Sequence, residues 1–530
     1  MGKTDTNTII IGAGIAGIKA SQDLTKAGIS NLVLEARDRL GGRLFTDKLN
    51  SGFPIDMGAS WFHDCYDNPL LEKYWKNGKT EFTFDDGSEA YFNEDGRISE
   101  NSRLKPIFEE IELFMAESYD KLKVDQDISV REAVYQYLQS KKYCLTDYQI
   151  RHVPQLVRGL ELWIGSSWDI LSSRNIAADV HKGRNALVLN GYSTVFNGEL
   201  DELIDASKYS NVKELLNDKS KIVNKSGEVS IKLNQSVYRI EYDNTNKYIK
   251  VYTKDTINPN NIQIFTCENI IFTAPLSILK LSNTREKGSI EWVPKLPTKL
   301  TNALERVSFS NLGKIFFEFP EIFWSLNDDR FHSFAKVDEK FYNACKNDLP
   351  NGPSSYKFEI SREDIPIPKG SVPNGLDYTI LFVNLAVPTG KPVILALTSS
   401  PLTQFLEESD PETIFKVFKP VFARISGKSI NQIPNPIEIK TSHWSNDPFA
   451  RGSYTGVTIG DNFEDALEIL CDPKEIFDGT GRVRFAGEGI IDDGNGCAHA
   501  AWKTGKREAN YIIKKVNNVN SNSNFNSNFN

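Results

Sequence analysis

The chain has 530 residues, with 62 Lys and Arg against 70 Asp and Glu and a net charge of −8. A hydrophobic fraction of 40% and a charged fraction of 25% exclude global disorder. The acidic balance argues against duplex nucleic acid as a partner, and no apolar window reaches the roughly 18 residues of a membrane-spanning helix.

The chain opens as strand, turn, helix and strand. Residues 8–11 are a β-branched run ending in glycine, 15–27 carry a helical pattern, and 31–35 (NLVLE) form a second strand. Residues of about 102–225 are mostly helical in pattern. Within them, Ser129 followed by Glu132 predicts a capped helix start, and 147–165 a longer helix carrying a proline. Strand character returns at 229–253 and 269–275, then at 314–320, 378–386 and 392–400. The Pro/Gly/Ser-rich stretch 350–375 is a surface excursion. A last strand at 483–487 precedes a helix at 498–515, and the Asn/Ser tail 517–530 is expected to be disordered.

Six scattered cysteines without CxxC spacing argue against a disulfide framework, and six histidines without an HxxxH pair argue against a metal site. The N-terminus lacks an apolar leader and the C-terminus an SKL-type signal, so a cytoplasmic location is the expectation. Gly2 with Thr6 fits the myristoylation pattern, but no polybasic cluster accompanies it.

GAGIAG follows the first strand and opens the helix. Gly12 permits the tight turn, Gly14 the approach of backbone to a pyrophosphate, and Gly17 the packing of helix on strand. The helix N-terminus offers free N–H groups to phosphate. Glu35 ends the second strand 18 residues after Gly17, placed to accept from a ribose. Its charge disfavours a 2′-phosphate. Two more glycines and Arg43 follow in EARDRLGGR (35–43), more phosphate-directed chemistry than an NAD site needs.

These residues resemble the FAD-dependent amine oxidases. VLEARDRLGGR (33–43), GASW (58–61), GRNALVLNGY (183–192), SVYRI (236–240) and FTAP (272–275) carry the resemblance in the first half. LGKIFFEF (312–319), HWSNDPFARGSY (443–454), RFAGEG (484–489) and GCAHAAWKTGKREA (496–509) carry it onward. Within the family the chain is most similar to fungal polyamine oxidases, and equally to a corticosteroid-binding relative.

The resemblance implies an α/β fold. In it a Rossmann-like FAD domain (1–90, 226–300 and 440–516) is interleaved with an α+β substrate domain on a mixed sheet (91–225 and 301–439). It implies that Gly12, Gly14, Ala16 and Gly17 hold the pyrophosphate and Glu35 the adenosine ribose. Ala36 and Arg37 stand beside the adenosine, and Gly42 and Arg43 near the diphosphate. Gly58, Ala59, Ser60 and Trp61 pass along the flavin, and Val237 faces the adenine. Gly487 and Glu488 bind ribityl or phosphate-side groups, and Cys497 begins a helix aimed at the flavin. Ser453 stands where covalent relatives have cysteine, which implies non-covalent FAD.

The same resemblance implies oxidation of a polyamine (spermine or an N-acetylated relative) at a C–N bond, with oxygen reduced to hydrogen peroxide. A steroid binder with little turnover is the alternative. Lys314, conspicuous in an apolar strand, is expected beside the flavin through a water, and His63 at the substrate amine. Asp86, Glu161, Trp163 and His181 are candidates for substrate binding, and Tyr454 for one wall of an aromatic cage whose other wall is Cys497. Gly489 replaces the family's usual histidine, which places a contact near the flavin in doubt.

Overall fold

The computed structural model describes residues 4–98, 101–176, 182–204, 221–223, 229–349, 352–358 and 361–527. Strand β1 (Thr6–Ile11) is buried along almost its whole length and runs parallel to β2 (Asn31–Leu34) on one side. On its other side it runs parallel to the strand Ile262–Phe272, which is itself parallel to Val483–Phe485. Val229–Lys232 extends this parallel row beyond β2. Near-continuous apolar strands are what a sheet covered on both faces requires. The strands Lys221–Val223, Gln235–Asp243, Tyr248–Asp255 and Glu291–Val293 complete a nine-stranded mixed sheet.

Helix α1 (Ile15–Lys26) connects β1 to β2 and packs against the C-terminal helix, Ala498–Ser527. The two helices touch closely where Gly505 meets α1: a Cβ there would stand 2.2 Å from the Ala16 carbonyl oxygen. The C-terminal helix continues past Lys515 into the Asn/Ser segment expected to be disordered. Asn and Ser are weak helix formers, but extending a helix already anchored by packing adds one bond per residue without a new nucleus.

A seven-stranded sheet is built mainly from Gly313–Glu318, Arg330–Ser333, Ile380–Val383, Val393–Thr398 and Glu438–Thr441, joined by Glu89–Asn93 and Gly96–Arg97. Its apolar face packs on the helix Pro411–Ser426 through a cluster that includes Phe317, Phe319, Phe418 and Phe422. Ser129 caps the helix Val130–Lys141 as expected, its Oγ accepting from Glu132 N–H at 3.0 Å. The expected 147–165 helix is divided. Asp147–Val157 contains Pro154, a 3₁₀ turn follows at Arg158–Leu160, and Glu161–Ile164 ends on left-handed Gly165. The helical expectation for 102–225 also missed the strand Ala186–Val188, which pairs with Trp61–Phe62 and Phe82–Phe84. Three residues are too few to show a period. No helix among the described residues is long and apolar enough to cross a membrane.

Candidate functional site

The carboxyl ends of the parallel strands open into one cavity enclosing about 1600 Å³ of empty space, its solvent-open mouth included. Ligands of open α/β sheets bind at this edge. The cavity wall contains Gly12, Gly14, Ala16, Glu35, Ala36, Arg37, Gly42, Arg43, Gly58, Ala59, Ser60, Trp61, His63, Val237, Lys314, Tyr454, Gly487, Glu488 and Cys497. Gly17 stands behind the wall, where a Cβ would lie 2.0 Å from the Gly12 carbonyl oxygen, so the first helical turn can close only over glycine. Gly12 itself has φ +106°, a left-handed conformation that L side chains rarely adopt.

Buried Glu35 ties the first loop together. One carboxylate oxygen accepts from Ala13 N–H at 2.7 Å and the other from Arg37 N–H at 2.9 Å. Burial pushes its pKa up, and these two bonds oppose that. Each oxygen has a lone pair left for a ribose hydroxyl. The Gly41–Gly42 turn is drawn under the same loop, with Gly41 N–H donating to Ala13 O at 3.0 Å. Arg37 pairs with Asp447 at 2.8 Å and lies over the Phe449 ring. Arg43 donates to the Ser453 carbonyl at 3.0 Å and to Glu488 at 2.9 Å.

At the other end of the cavity, Lys314 is 5% exposed. Its Nζ donates to Gly58 O at 2.5 Å, to Asp56 O at 3.3 Å and to Ser60 Oγ, and lies 4.9 Å from the Trp61 ring centroid. Burial pushes its pKa down to about 8, with Asp56 acting in the opposite direction. Asp56 is held up at about 6 by its own burial. The imidazole of His63 meets Asn185 Oδ1 at 3.0 Å through Nδ1, and Asn185 immediately precedes the unforeseen strand Ala186–Val188. Tyr454 Oη donates to the Trp163 carbonyl, which sets the phenol against Gly496.

Several candidates for substrate binding stand elsewhere. Glu161 is 2% exposed and engaged with Arg158 at 2.9 Å and Trp168 N–H at 3.2 Å; it does not line the cavity. Its two partners occupy the carboxylate that an ammonium would need. Asp86 is half-exposed and paired with Arg184 at 2.7 Å, and Asp85 with Arg330. The Trp163 ring is largely exposed and contributes its carbonyl to the site. His181 lies outside the described residues.

Gly489 is not part of the cavity wall, and a Cβ there would lie 2.3 Å from Thr455 Oγ1. Thr455 in turn donates to Glu488 through its hydroxyl at 3.2 Å and its N–H at 3.3 Å. Glycine at 489 therefore makes room for a threonine that positions Glu488. The sequence reading missed Thr273, Ala274, Leu312, Trp444 and Phe449, all of which line the cavity. The segment carrying Trp444 is fastened by buried Glu407, which accepts from Trp444 and Ser445 N–H groups at 3.0 Å each. Burial raises that carboxyl to about 7. FTAP (272–275) and HWSNDPFARGSY contain four of these five residues, so the signal was present at the level of the segment.

The wall suits a long dinucleotide. Backbone at Gly14 and Gly487 is open, with nothing within 4 Å of a Cβ at either. Trp61 Nε1 is buried with no acceptor among the described residues. A carboxylate stands at one end, an arginine in the middle and a helix N-terminus at the other end, and together they fit the ribose, diphosphate and reducible ring of FAD.

Comparison with known proteins agrees. The family of flavin containing amine oxidoreductases matches residues 15–513. A corticosteroid-binding protein of Candida albicans is 31% identical over 527 residues, covering 96% of each chain. Polyamine oxidase 5 of Oryza sativa subsp. japonica is 26% identical, and polyamine oxidase 2 of Arabidopsis thaliana 25%, each covering 94% of this chain and 86% of its own. The chain belongs to the flavin-containing amine oxidoreductases, and its cofactor is FAD.

Proposed function

We propose that the protein oxidises a polyamine, spermine or an N-acetylated relative, at a C–N bond. The imine is then hydrolysed to an amine and an aminoaldehyde, and oxygen is reduced to hydrogen peroxide. The observation that carries this reading is the presence of Lys314 and His63 on the same cavity wall as the residues that suit FAD. Bound FAD supplies the sink for two electrons.

The side chains orient the reactants and handle protons. His63, fixed by Asn185, contacts the amine nitrogen. Lys314, its pKa lowered by burial, gives up and regains a proton near neutral pH and holds a water at the reacting edge. Tyr454 and Cys497 make a one-sided aromatic cage, which favours a slim aliphatic amine over a benzylic one. Ser453 carries no thiol, and its hydroxyl donates to Ser310 O at 2.9 Å, in keeping with non-covalent FAD. A cytoplasmic location belongs to the same proposal.

The Candida relative's name raises a second reading, a steroid-binding protein with little turnover. Anaerobic mixing with spermine separates the two. Bleaching of the oxidised-flavin band supports oxidation; an unchanged band on spermine and N-acetylspermine, with a steroid bound, supports the second reading.

A further inference from the structure

We infer that Cys497, His499 and Asp64 form a peroxide-reactive thiol site at the wall of the FAD cavity. The three are buried, at 6%, 2% and 4% exposure, and their donor atoms lie within 4.8 Å of one another. His499 Nε2 stands 3.3 Å from Asp64 Oδ2. The other Asp64 oxygen accepts from Lys182 N–H at 2.5 Å, which fixes the carboxylate. A thiol with an imidazole no more than 4.8 Å away, and a carboxylate 3.3 Å from that imidazole, resembles the nucleophile, base and orienting group that activate thiols.

Two further features shape the surroundings of the thiol. Cys497 immediately precedes the C-terminal helix, its carbonyl accepting from Ala501 N–H at 3.2 Å, so the residue sits at the positive end of the helix dipole. Gly494 leaves room for the imidazole, because a Cβ there would lie 2.5 Å from His499 Nε2. Tyr192 is one titratable neighbour of the thiol, and its phenol is pushed well above its usual range by burial and then by Cys497. Tyr192 therefore stays neutral and does not oppose a negative sulfur.

Cys497 lines the cavity, whereas His499 does not. The sulfur meets the cavity contents and the imidazole acts through it. In the reaction the thiol proton passes to His499. The sulfur attacks one peroxide oxygen, an S–O bond forms and the O–O bond breaks. Sulfur gives up two electrons, and the departing oxygen takes the proton from His499 and leaves as water. The product is a sulfenic acid. The geometry stands alone, and only the supply of peroxide within the cavity rests on the proposed oxidase reaction.

The test adds hydrogen peroxide to the holoprotein, so its outcome is independent of turnover with spermine. Sulfenic acid is trapped with dimedone and located by peptide mass spectrometry. Exposed Cys144 serves as the internal reference. Cys497 is expected to be trapped faster than Cys144. His499→Gln should slow trapping at Cys497 at least about tenfold and raise the pH midpoint of its alkylation, while Cys65→Ser leaves both unchanged. Trapping at Cys497 no faster than at Cys144 overturns the proposal, and this comparison needs no variant. An unmoved rate and midpoint in folded His499→Gln overturn the role of the imidazole.

Discussion

Arg43 and Glu488, 445 residues apart in sequence, form an ion pair at 2.9 Å on the wall of the FAD cavity. The pair fastens the Gly41–Gly42 turn to the segment that follows the last strand of the sheet. Glu488 is almost fully buried, so removing Arg43 leaves a carboxylate without its cation. Hydrogen bonds to charged groups contribute about 1.5–3 kcal/mol. Arg43→Ala should therefore weaken FAD binding roughly 10- to 100-fold, measured by flavin titration of the apoprotein. Unchanged affinity would show that the pair is structural only.

Glu35→Ala should yield mostly apoprotein. The substitution removes the acceptor of the Ala13 and Arg37 N–H groups together with the proposed ribose contact. The ratio of flavin to protein absorbance after purification checks this, and a normal ratio would contradict it.

Lys314→Met should retain FAD and slow a flavin half-reaction by about 10²–10⁴-fold, the usual span of acid–base effects. Stopped-flow reduction and reoxidation give the two half-reactions separately, and normal rates in both would remove Lys314 from the chemistry. The variant also has a signature in stability. The folded pKa of about 8 lies below the roughly 10.4 of an unfolded lysine. Between those values the unfolded chain binds the extra proton, so this lysine makes stability rise with pH through that window. It is most destabilising below pH 8. Lys314→Met should abolish this share of the rise, seen by comparing denaturation midpoints at pH 7.5 and pH 10.

Gly489→Ala should lower stability by about 1–3 kcal/mol, the typical result of overpacking, because the new methyl meets Thr455 Oγ1. Thr455→Ala in the same chain should recover part of the loss in thermal midpoint while leaving FAD bound more weakly, since Glu488 loses a donor. If the double variant is no more stable than Gly489→Ala, Thr455 is not the obstacle.

Asp86→Asn should change KM for spermine by less than about threefold. Its half-exposed carboxylate already pairs with Arg184, and such pairs are worth ~1 kcal/mol or less. A tenfold rise in KM would restore Asp86 as an anchor for the distal ammonium.

The FAD end of the site was legible because its constraints are local. Gly12, Gly17 and Glu35 follow from what one turn and one strand end permit, and GAGIAG displays that directly. The substrate end was not legible from residue type alone. Asp86 and Glu161 have the right charge, but nothing in the sequence reveals that Arg184, 98 residues away, neutralises Asp86, whereas the Arg158–Glu161 pair has the i,i+3 spacing of one helix face. Lys314 stood out because its strand is otherwise apolar. The Asn185 contact that orients His63 depends on a three-residue strand, and Glu407 holds Trp444 across 37 residues, a pairing no periodicity encodes. Gly489 looked like a lost contact and proved to be a steric allowance for Thr455.

The cavity wall draws on residues near both ends of the chain, from Ile11 to Ala501. During synthesis the first βαβ unit emerges early, yet its phosphate loop has no closing wall until the RFAGEG strand and the helix after it have left the ribosome. The wall that encloses FAD is therefore complete only once residues up to Ala501 have been made, and the chain exists as apoprotein until then. Starving cells of riboflavin should accordingly shorten this protein's lifetime, because binding to the folded state alone is what draws the population out of reach of proteases.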